Sequence, residues 1–88
     1  MTIKELILCS LADDSEAEIQ ILGYLEYEGI AIKIEEIREL LGELIKEGLV
    51  HIVGERECML SKKTIETKLV YEMTPKGREV WNKLGGNN

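Results

Sequence analysis

Residues 35 to 53 restrict the fold more than any other stretch. Glu-Glu-Ile-Arg-Glu-Leu-Leu-Gly-Glu-Leu-Ile-Lys-Glu-Gly-Leu-Val-His-Ile-Val reads as one amphipathic helix, a glycine stop and a strand. Ile37, Leu40, Leu41, Leu44 and Ile45 recur at i, i+3, i+4, i+7 and i+8, which lines five aliphatic side chains along one helical face. Gly48 stands just past the last periodic residue, where a left-handed backbone costs glycine nothing, and the β-prone residues 49–53 follow. Such a face has to be covered, and the rest of the chain supplies the cover.

Thr2-Ile3-Lys4-Glu5 has the form of a capping box, so a first helix is expected to start there and to bury Ile3, Leu6, Ile7 and Leu11. Ser15-Glu16-Ala17-Glu18 repeats the pattern and opens a second helix over about residues 16–28, closed by Gly29, with Ile19, Ile21, Leu22 and Leu25 on its apolar face. Alternating isoleucines at 30, 32 and 34 suggest a short extra strand at 30–34, placed to pair with the hairpin that follows the third helix. Residues 49–53 and 65–73 supply the strands of that hairpin, with Ser61-Lys62-Lys63-Thr64 at its tip and Leu69, Tyr71 and Met73 sharing one face. Thr74-Pro75 reads as an N-cap followed by proline at the first helical position, and opens a last helix with Val80, Trp81 and Leu84 as its stripe. The expected fold is mainly α with a small β-hairpin (α+β), in the order α-α-α-β-β-α. One domain over residues 1–84 is followed by a disordered tail at 85–88.

With 88 residues, 44% hydrophobic and 32% charged, the chain has the composition of a small globular protein rather than a disordered one. No apolar run is long enough for a membrane helix or a signal peptide, so a cytoplasmic location and no membrane partner are expected. Cys9, Cys58 and the single His51 match no metal-ligand spacing and are read as two free thiols and a strand residue. No nucleophile, base and orienter can be assembled, and phosphate and dinucleotide motifs are missing. The expectation is a non-enzymatic chain with no cofactor and no metal.

Two local phrases carry a resemblance. Leu44-Ile45-Lys46-Glu47-Gly48-Leu49-Val50 resembles the L-x-x-x-G-L-V exit from the third helix of PadR-like and MarR-like bacterial or archaeal regulators. Tyr71-Glu72-Met73-Thr74-Pro75-Lys76-Gly77 resembles their Y-x-L-T-x-x-G junction, with Met73 in place of the leucine. Both stand in the right order over roughly residues 3–84, which implies a winged helix-turn-helix domain of regulator type. Three features depart from that pattern. The turn between the second and third helices is about six residues, the last helix is too short for the long terminal dimer helix of such regulators, and the third helix is acidic.

Charge divides the functional readings. The net charge of −6 is split between residues 1–50, with 4 basic against 12 acidic residues, and residues 51–88, with 7 against 5. The third helix alone carries Glu35, Glu36, Glu39, Glu43 and Glu47 against Arg38 and Lys46, which repels DNA. The leading reading is a small regulator-type protein acting through contacts with an unidentified protein partner, as a monomer or weak homodimer. Gln20, Tyr24, Tyr27, Glu35, Glu36, Glu39 and Glu43 would form its interface. The alternative is a DNA-binding transcriptional regulator, with Arg38, Arg56, Lys62, Lys63, Lys68 and Lys76 as the contacts. On the wing, the same cations can equally form a solvated face or a docking patch for an acidic protein.

Overall fold

The computed structural model describes residues 1–61 and 64–85. Among them the elements run α1 (Ile3–Ser10), β1 (Glu16–Ala17), α2 (Glu18–Tyr27), α3 (Ile34–Lys46), β2 (Val50–Ser61), β3 (Thr64–Met73) and α4 (Pro75–Lys83). This is a winged helix, with four helices and a small three-stranded antiparallel sheet in the order β1-β3-β2. The expected hairpin tip at Lys62 and Lys63, and the tail beyond residue 85, lie outside the described residues.

The capping box at Thr2 forms as expected: the Glu5 N–H donates to the Thr2 hydroxyl at 3.2 Å, and the Thr2 N–H donates to the Glu5 carboxylate at 2.6 Å. The second box does not open its helix at residue 16. Glu16 and Ala17 are instead drawn into the sheet, opposite Tyr71 and Val70, so the helix cannot begin before Glu18. Ala17 becomes the N-cap without a side-chain acceptor, and Gln20 reaches back to take its N–H at 2.8 Å. The extra strand expected at 30–34 is likewise corrected. Residues 30–33 form no strand, Ile34 begins α3, and the third strand of the sheet is β1. A two-residue strand has no alternation to read, whereas the isoleucines at 30, 32 and 34 alternate because each turns a partly buried side chain toward the core.

The core gathers Ile7, Leu8 and Leu11 of the first helical segment, Ile21 and Leu25 of α2, and Ile37, Leu41 and Leu44 of α3. Leu49, Val50, Tyr71 and Met73 close it from the sheet side. Within α2 the stripe is Ile21 and Leu25, flanked by Leu22, while Ile19 is 43% exposed. Ile45 of α3 is also largely exposed, and so is Leu69, which lies beyond the part of β3 that the core covers. Gly48 closes α3 with φ +79°, letting the Leu49 N–H reach the Leu44 carbonyl at 2.9 Å and the Gly48 N–H reach that of Ile45 at 3.0 Å. In β2 the register slips between Ile52 and Gly54, so Val53 is the extra residue of a β-bulge at the base of the wing.

Two distant phrases of the sequence meet in one joint. The Thr74 N–H donates to the Leu49 carbonyl at 3.0 Å, and the Thr74 hydroxyl donates to the Gly48 carbonyl at 2.6 Å while accepting the Gly77 N–H at 3.0 Å. Lys76 adds a bond from Nζ to the Glu47 carbonyl at 3.2 Å. The start of α4 therefore satisfies the C-cap carbonyl of α3 at Glu47 and the two carbonyls that follow it.

Candidate functional site

The outward side of α3 is the surface this fold offers most openly. With Ile37, Leu41 and Leu44 buried, the residues pointing most directly away are Glu35, Glu39, Gly42 and Lys46, at i, i+4, i+7 and i+11. Glu36 and Glu43 flank them, and all are exposed. Glu36 reaches back to the Lys33 N–H at 3.4 Å. Glu43 shares Lys4 of α1 with Glu47, the Lys4–Glu43 distance being 3.5 Å. Glu35 and Glu39 have no ion pair or hydrogen bond among the described residues, so their charge faces solvent.

Gly42 occupies the middle of this ridge without a steric need for glycine, since a Cβ built there would meet nothing within 4 Å. An exposed helix-interior glycine costs roughly 0.5–1 kcal/mol relative to alanine. Gly42→Ala is accordingly expected to stabilise the chain by about that amount, read as a rise of a few degrees in a circular-dichroism melt. A fall in Tm would mean that the ridge is less open than its geometry indicates.

The described cations among the expected phosphate contacts, Arg38, Arg56, Lys68 and Lys76, each meet a partner within the chain. Arg38 directs Nε at both oxygens of Glu18, at 3.0 and 3.1 Å, and that bond holds its guanidinium further toward the charged form. Glu18 is the first residue of α2, and its side chain is only 14% exposed against 52% for Arg38. It also accepts the Tyr71 hydroxyl at 3.4 Å, while burial and the Glu18 charge push the Tyr71 phenol up from its ordinary value. Arg56 on β2 folds back across the sheet: it donates to the Gln20 side-chain oxygen at 2.7 Å and to the Ser15 carbonyl at 3.3 Å, and lies 3.9 Å from Glu16. Its cross-strand neighbour is Lys68, a pairing of like charges that would repel if both stood upright. Lys68 turns to Glu66 at 2.6 Å, and Lys76 is the cap on α3 already described. Lys62 and Lys63 lie outside the described residues.

The residues expected to form a tyrosine-bearing face are separated. Tyr27 is 87% exposed, Tyr24 is partly buried against the core, and Gln20 is occupied by Ala17 and Arg56. Glu35, Glu36, Glu39 and Glu43 do share the outward side of α3. Sequence reasoning missed Glu16 and Glu18, the carboxylates on which the arginines converge. They read as helix-start residues, and nothing local points 20 or more positions ahead to Arg38 and Arg56. His51 is exposed on β2 and Cys9 is a free thiol at 3.7 Å from the Met1 sulfur. No cluster of His, Cys, Asp or Glu suited to a metal occurs among the described residues, and no described helix is long and apolar enough to cross a membrane.

No protein-family model matches the sequence, and no curated protein matches it. Among solved structures, that of Bacillus subtilis PadR in complex with operator DNA superposes with a TM-score of 0.71 at 21% sequence identity. The match covers 94% of this chain and 46% of that one, so this chain spans less than half the length of the regulator it resembles. The likeness establishes a PadR-like winged-helix fold.

Proposed function

We propose that this chain is a non-enzymatic winged-helix protein of regulator type that acts through protein contacts, with the outward ridge of α3 as its principal surface. The observation that carries this reading is the state of the third helix. In helix-turn-helix proteins the recognition helix lies in the major groove and needs donors for base edges and phosphates. Here the ridge presents Glu35 and Glu39 in the half that starts the helix, with Lys46 only at its last turn, and Arg38 is held by Glu18. A partner of complementary, basic chemistry fits that surface better than a polyanion does.

Direct DNA binding is the second reading, favoured by the fold likeness to a protein solved on its operator. A backbone amide NMR titration at low salt, with random-sequence duplex and then with DNA flanking the chain's own gene, separates the two. Protein-contact function predicts no salt-sensitive shifts on α3 or the wing. Shifts on both that vanish as salt is added would replace it with DNA binding, because counterion release makes phosphate contacts steeply salt-dependent. A partner captured by the chain and lost on Glu35→Lys with Glu39→Lys would support the proposed surface.

A further inference from the structure

We infer that the Glu16-Ala17-Glu18-Ile19-Gln20 segment is an internal stand-in for the DNA backbone, and that it masks the two arginines through which this fold would otherwise grip phosphate. Arg38 comes from α3 and Arg56 from the wing strand β2, the two consecutive elements that follow α2. Both converge on this one segment, Arg38 on the Glu18 carboxylate and Arg56 on Gln20, Ser15 and Glu16. The Glu18 carboxylate takes the one Nε–H of Arg38 across both of its oxygens, a charged acceptor of the kind a phosphate oxygen offers. Glu18 also occupies the start of α2, where aligned backbone N–H groups would favour a phosphate. Two cations of the kind that position a DNA-binding domain on phosphate thus meet acceptors within the chain.

The placement of Glu18 gives the mask its persistence. Its side chain is mostly covered and also accepts the Tyr71 hydroxyl at 3.4 Å, a contact that does not involve Arg38. Gln20 is fixed in the same way by the Ala17 N–H. The segment is itself pinned by the two-residue pairing of β1 with β3, which tethers it to the sheet that carries Arg56 across the next strand. An incoming phosphate has to compete with an acceptor that is already in place.

The test is a cycle of variants followed by fluorescence anisotropy on a short random-sequence duplex across a salt series. Glu16→Gln with Glu18→Gln keeps side-chain size and one acceptor oxygen at each position while removing both charges. It is expected to raise DNA affinity by about tenfold or more at low salt and to steepen the salt slope by about 1 to 2. Arg38→Gln with Arg56→Gln should leave the weak affinity of the unaltered chain nearly unchanged, yet abolish the gain when added to the glutamine pair. Glu18→Gln with Arg38→Gln alone supplies the same comparison at one site if the fourfold variant melts too low. The inference is overturned if the glutamine pair brings no gain, or if the arginine substitutions lower affinity by the same factor with and without the glutamine pair, the additive result that net charge alone would give. It rests on the docking mode of the fold and not on the protein-contact reading. Tight binding by the unaltered chain would sink that reading, whereas only the cycle decides the mask.

Discussion

Gly77→Ala is expected to destabilise the chain by about 3 kcal/mol or more, a large share of the roughly 5–15 kcal/mol that holds a domain folded. Gly77 is buried in the first turn of α4, where its Cα lies against the end of α3. A Cβ there would stand 2.0 Å from the Leu49 carbonyl oxygen, 3.0 Å from its carbon and 3.0 Å from the Met73 Cγ. The methionine could move, but the carbonyl cannot easily do so. It accepts the Thr74 N–H at 3.0 Å, and Thr74 also bonds the Gly48 carbonyl and the Gly77 N–H. Relief of the clash would open the joint that caps two helices and aligns the final strand. A fall of more than about 12 °C in Tm follows from the usual few degrees per kcal/mol for a domain of this size. A loss under about 1 kcal/mol in urea titration would show that α4 does not approach Leu49 so closely.

Leu44→Ala should cost about 2–5 kcal/mol, the range for emptying a fully covered leucine site. Leu44 is 1% exposed, within the cluster that joins Ile7, Leu41, Val50 and Met73, and its carbonyl takes the N–H of Leu49. Its neighbour separates burial from periodicity. Ile45 belongs to the same aliphatic stripe by spacing, yet it is 38% exposed, so Ile45→Ala should cost less than about 1 kcal/mol. Equal losses at the two positions, measured by chemical denaturation, would mean that α3 is rotated relative to the core from the geometry described.

The joint around Gly77 shows what short phrases can and cannot convey. Leu-x-x-x-Gly-Leu-Val and Tyr-x-Met-Thr-x-x-Gly were legible as two separate signals, each with a local reason: a left-handed helix stop at Gly48 and an N-cap at Thr74. Their mutual contact was not legible, because the requirement for glycine at 77 comes from a backbone carbonyl 28 residues earlier in the chain. The same division runs through the second helix. Ser15-Glu16-Ala17-Glu18 carried a plausible helix start, but pairing with Tyr71 and Val70 claimed two of its residues for the sheet. Local propensity lost to a partner more than 50 positions away.

The candidate surface divides in the same way. The acidic side of α3 was readable from spacing alone, because a helical period places Glu35 and Glu39 opposite Ile37, Leu41 and Leu44 whatever the fold. Tyr24 and Tyr27 share a helix but not an environment, since α2 packs only one of them against the core. Arg38 and Arg56 are visible in the sequence as cations, but their pairing with Glu18, Gln20 and Glu16 depends on separate elements meeting in space. Sequence by itself determined the presence of the helices, the caps at Thr2 and Thr74, the glycine stops at 29 and 48, the presence of a hairpin and the sign of the charge on α3, because each follows from periodicity or from the backbone chemistry of a few adjacent residues. Only the tertiary structure decided where α2 begins, which strand completes the sheet, why residue 77 has no side chain and which carboxylates hold the arginines. Those outcomes depend on distances between residues far apart in the chain, and no local pattern encodes such distances.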